Sequence, residues 1–379
     1  MKARVAVLKT EPGRVLADYG RVMHLADYQR VLARDIPTLL KLNLSWTRYF
    51  PACSTQPWQL EGVVRTLLDD GYPASSLIPV ENRTVVTEPW KGARNNRWLP
   101  VLDSCGLKFQ PLTEVKWVVH RFKAKLLRLD RIFPEGIEIP EMFLGKQVLH
   151  LPTLKTHGHS VTTGAVKNAF GGLLKEVRHY AHKHIHEVLA DLMIMQREIH
   201  PSVFAVMDGT VAGDGAGPRT MIPRVKNYIL ASADSVAIDA VAARMMGFDP
   251  MQIGYLRICH DMGLGVADPR DIEIAGESIE GINFGFQMSR SLVIWGDQML
   301  RRGPLRFLEK IALHSPLVVW APMASNLYHD WLWYPTIGQA RIRTFRSTPW
   351  GRFMDDRYGP GAGGALSSAP RPADAPKAG

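Results

Sequence analysis

Residues 149–172, LHLPTLKTHGHSVTTGAVKNAFGG, join a short apolar stretch to a polar loop rich in Gly, Ser and Thr. The apolar part, Val148–Leu151, is typical of a β-strand, and Pro152 follows it directly. In open α/β sheets, ligands bind at the loops that follow the strands. The segment therefore predicts an α/β fold with a binding site at the end of this strand.

Strand-like and helix-like stretches alternate on both sides of this segment. Further predicted strands are Val5–Leu8, Leu40–Leu44, Leu77–Val80, Val115–Val119, Val203–Met207 and Asn227–Ala231. Predicted helices are Tyr28–Leu40, Trp58–Asp70, Leu173–Ile199 and Ser235–Met246. Strands separated by helices favour parallel pairing. We therefore predict a layered α/β fold, with a mostly parallel or mixed sheet flanked by helices and a C-terminal helical or irregular extension.

Composition divides the chain into three parts. Residues 1–288 form the predicted α/β domain, and residues 289–357 form a C-terminal extension rich in aromatic residues and arginine. Residues 290–357 contain ten basic and five acidic residues, so their net charge is +5. Residues 358–379 are mostly Gly, Ala and Pro, which predicts a disordered tail.

The overall composition limits the classes of function. Of the 379 residues, 46% are hydrophobic and 22% are charged, which is typical of a globular protein, and the net charge of +10 favours anionic partners. The three cysteines include no CxxC pair, which excludes a self-contained iron–sulfur cluster or a four-cysteine zinc site. The first apolar stretch is too short for a signal peptide, so we expect a cytoplasmic location.

The polar loop contains groups that can bind an anion. Lys155 and Lys167 supply positive charge, and Thr163 and Gly164 can supply hydroxyl and backbone N–H donors. The GxxxxGK[ST] spacing of a Walker loop is absent. A solvated loop with two surface lysines is the alternative interpretation.

Histidines are concentrated near this loop, since eight of the thirteen lie between residues 150 and 200. On a helix, His182 and His186 would have the i, i+4 spacing that presents two imidazoles to one metal ion. Lys183 stands where a zincin has its glutamate. A polar helix flank is the alternative interpretation, and it is the one that we favour.

A third group of polar residues follows the strand predicted at Val203–Met207. Asp208 is expected at the end of that strand, and the glycine run 213–217 permits positive φ and a close approach of the backbone to a ligand. The run does not match the GxGxxG fingerprint of dinucleotide-binding folds. Asp208, Asp214 and Asp239 could bind Mg²⁺ together with a phosphate, whereas Asp234 or Ser235 is expected to cap a helix.

Several short motifs occur in a set order along the chain. They are KLN at residues 41–43, the turn at residues 55–57, KTH at residues 155–157, GAVKN at residues 164–168 with Gly171, Asp208-Gly209, the glycine run 213–218, residues 234–240 and MGFDP at residues 246–250. In this combination the chain resembles the domain-of-unknown-function family numbered 362 over roughly residues 3–280. The resemblance implies an α/β domain that often occurs with a ferredoxin-like iron–sulfur module, and it implies no settled reaction. Since this chain lacks the cysteine-rich module, a ferredoxin-type redox partner would have to supply any cluster.

The KTH and GAVKN motifs are also similar to a histidine, glycine and lysine loop of nickel-dependent lactate racemases, in which a lysine holds a nucleotide-derived cofactor. That likeness implies Lys167 as the matching lysine. It implies that His157 is an acid, a base or a ligand.

Together, these observations and resemblances predict a site made from three loops. The predicted catalytic residues are His157 for proton transfer, Lys167 and Asp208. Residues predicted to bind an anionic ligand or cofactor are Lys41, Asn43, Lys155, Thr163, Gly164, Asn168, Gly213 and Gly215. Residues predicted to bind a divalent metal, if one is present, are Asp239, His182 and His186.

The predicted function is that of an enzyme acting on, or with, a phosphate- or carboxylate-bearing small molecule. One alternative is a non-catalytic accessory protein that handles a metal or an iron–sulfur cluster. Another is attachment to a membrane surface or to nucleic acid through the C-terminal extension, where five of the ten tryptophans lie.

Overall fold

The computed structural model describes residues 2–84, 86–175, 181–289, 323 and 325–360. Its strands are β1 Ala3–Lys9, β2 Thr38–Lys41, β3 Leu77–Glu81, β4 Gln110–Pro111, β5 Trp117–His120, β6 Ile137–Pro140, β7 Gln147–His150, β8 Thr153–His157, β9 Val161–Thr163, β10 Val203–Ala216, β11 Thr220–Ser232 and β12 Ile272–Gly276. Ten of these strands form one sheet in the order β12-β1-β11-β10-β7-β2-β3-β4, with β8 on β10 and β9 on β8. Strands β5 and β6 form a separate hairpin.

The α-helices flank this sheet. They are α1 Val15–Leu25, α2 Pro57–Asp69, α3 Pro89–Asn95, α4 Trp98–Ser104, α5 Leu129–Ile132, α6 Ala165–Leu173, α7 Ile185–Ile199, α8 Ser235–Met246, α9 Gly254–Asp261, α10 Gln339–Arg346 and α11 Pro349–Tyr358. A π-helix, Leu327–Gly338, runs directly into α10. The predicted fold class is confirmed, because the sheet is mixed, lies between helices and is followed by a helical C-terminal extension.

Parallel and antiparallel pairing occupy different parts of the sheet. Strand β2 pairs in parallel with β3 and β7, and β7 pairs in parallel with β10. Strand β11 pairs antiparallel with both β1 and β10. The carboxyl ends of the parallel strands β2, β3 and β7 therefore meet at one edge, where Lys41, Glu81 and His150 lie.

Two apolar layers cover the faces of the sheet. Helices α6 to α9 pack on one face, where Val166, Leu189 and Leu256 are buried. Helices α1, α2 and α4 pack on the opposite face, where Val22 and Leu60 are buried. Burial of these two layers supplies the main favourable free energy of folding.

The predicted bounds of helix α8, Ser235–Met246, agree with the structure, and the residues at its two ends explain why. The carboxylate of Asp234 accepts hydrogen bonds from the backbone N–H groups of Val236 and Ala237 at 2.8 and 3.0 Å, which caps the first turn. Gly247 ends the helix with a φ of 103°, a left-handed conformation that glycine adopts without a steric penalty. The prediction that Asp234 or Ser235 caps this helix is confirmed, with Asp234 as the cap.

The predicted helix over Tyr28–Leu40 is wrong. Only a single 3₁₀ turn forms at Tyr28–Arg30, and β2 begins at Thr38 directly after Pro37. Proline disfavours a helical conformation in the residue before it, and the side chains of β2 are buried between β3 and β7. The nearest helix is α1, which ends at Leu25, before the predicted range begins.

The single helix predicted over Leu173–Ile199 is also wrong. Helix α6 ends at Leu173, Leu174 has an extended backbone, and α7 begins at Ile185. Two glycines, Gly171 and Gly172, form the last turn of α6 and make that end a weak helix. His179 lies outside the described residues.

The strand predicted at Val203–Met207 continues to Ala216. Strand β10 pairs with β11 over this length, and the register shifts between Gly209 and Val211. Asp208 therefore lies within a strand and not at its end. Glycine has no side chain, so the glycines in this stretch interrupt the alternation of apolar and polar residues from which a strand is predicted. The predicted strand therefore ends before β10 does.

The C-terminal helices pack on the α/β body. Trp350 of α11 lies against Trp58 of α2, with 5.2 Å between ring centroids. Arg357 forms a bidentate ion pair with the buried carboxylate of Glu61, and the Tyr358 hydroxyl donates to the same carboxylate at 2.6 Å.

The domain division at residue 288 stays a prediction. Of the tail predicted at residues 358–379, only residues 358–360 belong to the described structure.

Candidate functional site

Strands β8 and β9 and helix α6 bring the polar residues of the 149–172 segment together. Strand β8 ends at His157, a short turn leads to β9, and α6 begins at Ala165. Lys155 lies opposite Thr163 in the β8–β9 pair and opposite Gly213 of β10. The segment is thus a hairpin followed by a helix, and Lys167 and Asn168 lie in that helix and not in a loop.

The ammonium group of Lys155 is held by the protein itself. It donates to Asn43 Oδ1 at 2.7 Å, to Ser45 Oγ at 3.0 Å and to the backbone carbonyl of Cys53. Burial lowers the pKa of Lys155 to about 8. The structure therefore brings Lys155 and Asn43 together as predicted, but the three donors of this ammonium already have protein acceptors.

Lys41 is likewise occupied by the protein. Its Nζ donates to Glu81 Oε1 at 2.8 Å and to the carbonyl of Leu42 at 2.6 Å, and both ionic side chains are almost fully buried. A buried lysine of this kind needs its carboxylate partner, because an unpaired charge in the interior is costly. An anionic ligand at Lys41 would have to compete with Glu81.

Asn168 connects Lys41 to a second buried group. Its Nδ2 donates to the backbone carbonyl of Lys41 at 2.8 Å and lies 3.4 Å from His150 Nδ1. The other ring nitrogen of His150 lies 2.7 Å from Gln196 Oε1, and burial lowers the pKa of His150 to about 3. Asn168 therefore ties α6 to the carboxyl ends of β2 and β7.

His157 is buried at the end of β8. Its Nδ1 accepts from the backbone N–H groups of His159 and Ser160 at 3.2 and 3.3 Å. Since a backbone N–H can only donate, the neutral ring carries its proton on Nε2. Burial, followed by the positive charge of Lys167, holds the pKa of His157 well below its usual value. His157 is therefore a neutral imidazole with an Nε2–H donor.

Four side chains around this point form what we call the basic cluster, namely His157, His159, Lys167 and His182. The rings of His157 and His159 are 5.9 Å apart, and those of His159 and His182 are 5.5 Å apart, measured between centroids. The half-buried Lys167 lies over Phe170, with 5.6 Å from Nζ to the ring centroid. The basic cluster unites two predicted catalytic residues, His157 and Lys167, with one predicted metal ligand, His182.

The N-terminus of α6 is capped from a different helix. The carboxylate of Asp239 on α8 accepts from the backbone N–H groups of Ala165 and Val166 at 2.6 and 3.1 Å, and from the Tyr255 hydroxyl at 3.2 Å. Burial raises the pKa of Asp239 to about 7. The first N–H groups of α6, which often bind a ligand anion, are thus occupied by a protein carboxylate.

The site lies within the part of the chain that matches a known protein family. Residues 38–244 match the family described as a domain of unknown function, DUF362. The chain belongs to this family. The matched residues contain all of the predicted site residues and the whole basic cluster.

Among curated proteins, the DUF362 chain is similar to a thylakoid-associated protein of Synechocystis sp. The two share 26% identity over 176 residues, which is 45% of this chain and 52% of the relative. The match thus spans about half the length of the relative. Within the described part of this DUF362 chain, none of the helices has the length and apolar character to cross a membrane.

Asp208, predicted as catalytic in this DUF362 protein, lies in a different environment. It is fully buried, and it accepts from the Tyr19 hydroxyl at 2.6 Å, from Trp58 Nε1 at 2.9 Å and from Thr210 N and Oγ1 at 3.0 and 2.8 Å. Burial raises the pKa of Asp208. These contacts place Asp208 in the packing between β10 and helices α1 and α2, apart from the contacts that build the basic cluster.

The glycine run of the DUF362 chain allows β10 to pack closely on β8. A Cβ on Gly213 would lie 2.8 Å from Lys155 Cβ, and a Cβ on Gly217 would lie 1.8 Å from the carbonyl oxygen of Thr156. Gly215 has a φ of 95°, which confirms the expected positive φ at this point. The close approach is to the protein's own strand, and a role of Gly213 and Gly215 in ligand binding stays a prediction.

The predicted metal ligands of the DUF362 chain have other observed contacts. His186 Nδ1 accepts from the backbone N–H of Tyr255 at 3.1 Å, and Asp239 caps α6. Within the described ranges, no three or more His, Cys, Asp or Glu side chains form a group that could hold a metal ion. Metal binding by Asp239, His182 and His186 therefore stays a prediction without structural support.

Sequence reasoning missed Glu81, Gln196, His159 and Tyr255, which complete these contacts. The motif KTHGH places His159 only two residues after His157, so closeness in sequence was a usable signal for that residue. Glu81 and Gln196 had no such signal, because each is distant in sequence from its partner.

Proposed function

We propose that this protein is an enzyme that binds a small phosphate- or carboxylate-bearing molecule at the basic cluster. The observation that carries the proposal is the state of His157, a buried neutral imidazole whose Nδ1 is occupied and whose proton is on Nε2. Such a ring can donate a hydrogen bond to an anionic oxygen without itself becoming charged. Lys167 supports the proposal because its ammonium group is close enough to lower the pKa of His157.

The proposed roles differ between the lysines. Lys167 would neutralise the charge of the ligand, and His157 would donate its Nε2–H to a ligand oxygen. Lys41 and Lys155 would hold the surrounding strands in place, since Glu81, Asn43 and backbone carbonyls already accept from them. Of the three lysines that the sequence predicts to bind an anion, the proposal therefore assigns this role to Lys167 alone.

Calorimetric titration of the full chain with inorganic phosphate and with succinate tests this proposal. We expect Lys167→Met and His157→Gln to weaken the binding of at least one of these probes by roughly tenfold or more, as expected for the loss of a charge-assisted hydrogen bond. Lys108→Met is the matched control, because Lys108 is an exposed lysine before β4 at the far side of the sheet. Equal affinity of wild type and both site variants, or an equal loss with Lys108→Met, would contradict the proposal.

A cytoplasmic location also stays a proposal. The similar protein of Synechocystis is named for its association with thylakoids. Cell fractionation of the untagged protein tests the location, because a protein that stays in the membrane pellet after washing with high salt and carbonate would contradict it.

A further inference from the structure

Exposed apolar side chains are concentrated in one stretch of the described residues. Of the thirteen large apolar residues exposed in the described ranges, five lie between residues 323 and 337. We call them the apolar ridge, and they are Met323, Leu327, Trp331, Leu332 and Ile337. Trp331 is 76% exposed and Met323 is 66% exposed. Five exposed apolar side chains within fifteen consecutive positions favour an interaction site, whereas single exposed apolar residues do not.

The apolar ridge is fixed to the body of the protein by its other side. Trp333 packs against Phe50 with 5.4 Å between ring centroids. Trp46 Nε1 donates to Asp330 Oδ1 at 2.6 Å, and the Tyr334 hydroxyl donates to the carbonyl of Tyr49 at 2.9 Å. The π-helix that carries most of the ridge is therefore held against residues 46–50 of the protein by its other side.

The charge around the apolar ridge is positive. Arg343 and Arg346 are exposed on α10, which continues directly from the π-helix, and Arg352 is exposed on α11. Residues 323–357 contain five basic and three acidic residues, and of the acidic ones Asp330 is half-buried against Trp46 and Arg48, whereas Asp355 forms an ion pair with Arg346 at 3.5 Å. An anionic surface is therefore complementary to this face.

We propose that the apolar ridge docks on the surface of an anionic lipid bilayer. Trp331 and Leu327 enter the boundary between headgroups and acyl chains, where tryptophan and leucine side chains are favourable. Arg343 and Arg352 contact the headgroups, where basic residues near the surface gain from anionic lipid. A nucleic acid would use the arginines but would leave the aliphatic part of the ridge in water, so the bilayer is the better match. This proposal is independent of the ligand proposed for the basic cluster.

Co-sedimentation of the full chain with vesicles tests the proposal. The vesicles are phosphatidylcholine alone and phosphatidylcholine mixed with phosphatidylserine. We expect the wild type to sediment with the mixed vesicles. The partition coefficient of the double variant Leu327→Ser, Trp331→Ser should be lower than that of the wild type by about tenfold or more. The double variant Val119→Ser, Met262→Ser is the matched control, because both of its sites are exposed apolar positions elsewhere.

Thermal unfolding shows whether each variant is folded. Wild-type binding to neither kind of vesicle, or binding of the ridge variant equal to that of wild type, would overturn the proposal. Equal loss in the control variant would also overturn it. Tighter binding of the wild type to a duplex oligonucleotide than to mixed vesicles, unchanged by the ridge substitutions, would favour a nucleic-acid partner instead.

Discussion

Gly164 and Asp239 lie so close together that a Cβ on Gly164 would be 2.0 Å from the Asp239 Oδ1 atom. Gly164 directly precedes α6, and Asp239 caps the same helix from α8. The helix that carries Lys167 and Asn168 is thus positioned by a contact that tolerates no side chain at residue 164. Four predictions follow from this and from the other buried polar contacts.

Gly164→Ala is expected to destabilise the protein by roughly 1–3 kcal/mol, because the added methyl group displaces the capping carboxylate. Chemical denaturation measures the free energy of unfolding. Gly13→Ala is the control, since no atom lies within 4 Å of the position that its Cβ would occupy. A Gly164→Ala protein as stable as Gly13→Ala would show that α6 can move away without cost.

Asp239→Asn is expected to change how stability depends on pH. The folded pKa of Asp239 is raised from 3.8 to about 7, so the folded protein binds a proton that the unfolded chain releases at a lower pH. The stabilising contribution of this group is complete below the unfolded pKa and is lost as the pH rises toward and through about 7. From about pH 5 to about pH 8, wild type should therefore lose stability relative to Asp239→Asn. A constant difference between the two unfolding curves over this range would contradict the raised pKa.

Lys155→Met and Lys167→Met are expected to affect different properties. Lys155 is buried and donates three hydrogen bonds, so its removal leaves buried acceptors unpaired and should cost roughly 2–4 kcal/mol of stability. Lys167 is half-buried, and Lys167→Met should cost about 1 kcal/mol or less while weakening the binding of phosphate. Parallel denaturation and titration of both variants make the comparison. A larger loss of stability in Lys167→Met than in Lys155→Met would show that Lys167 has the structural role.

Arg357→Met is expected to destabilise the protein by about 3 kcal/mol, because it leaves the buried Glu61 carboxylate with a weaker set of partners. Although burial alone would raise it, the hydrogen bonds from Arg357 and Tyr358 hold the pKa of Glu61 below its usual value. The double variant Glu61→Gln, Arg357→Met should recover part of the loss, since the fully buried carboxylate is then neutral and only the half-buried Arg65 loses an ionic partner. Additive losses in the double variant, measured by the same denaturation experiment, would show that the two residues do not act as a pair.

The sequence predicted the outline of the fold and one part of the site. Helices α2 and α8 have clear periodicity and clear ends at Gly71 and Gly247, so local patterns were enough to place them. His157 and Lys167 were predicted to lie near one another because they are only about ten positions apart in the sequence, at the end of β8 and in α6. That is a local relationship, which sequence spacing can show.

The remaining contacts depend on residues that are distant in the chain. The partners Lys41 and Glu81 are 40 residues apart, and Lys155 and Asn43 are 112 residues apart. A lysine in an extended polar segment is compatible both with binding a ligand and with a buried internal contact. Only the sheet order, which places β2 beside β3 and β7, decides between these two interpretations.

The position of β1 in the sheet has a consequence for biosynthesis. Strand β1 leaves the ribosome before the other strands of the described sheet, yet its two neighbours in the sheet are β11 and β12, whose residues lie at 220–232 and 272–276. Its apolar side chains and backbone groups therefore remain without their final partners until most of the chain has been translated. Completion of this sheet therefore has to wait for β11 and β12, and β1 is a segment that a chaperone would shield in the meantime.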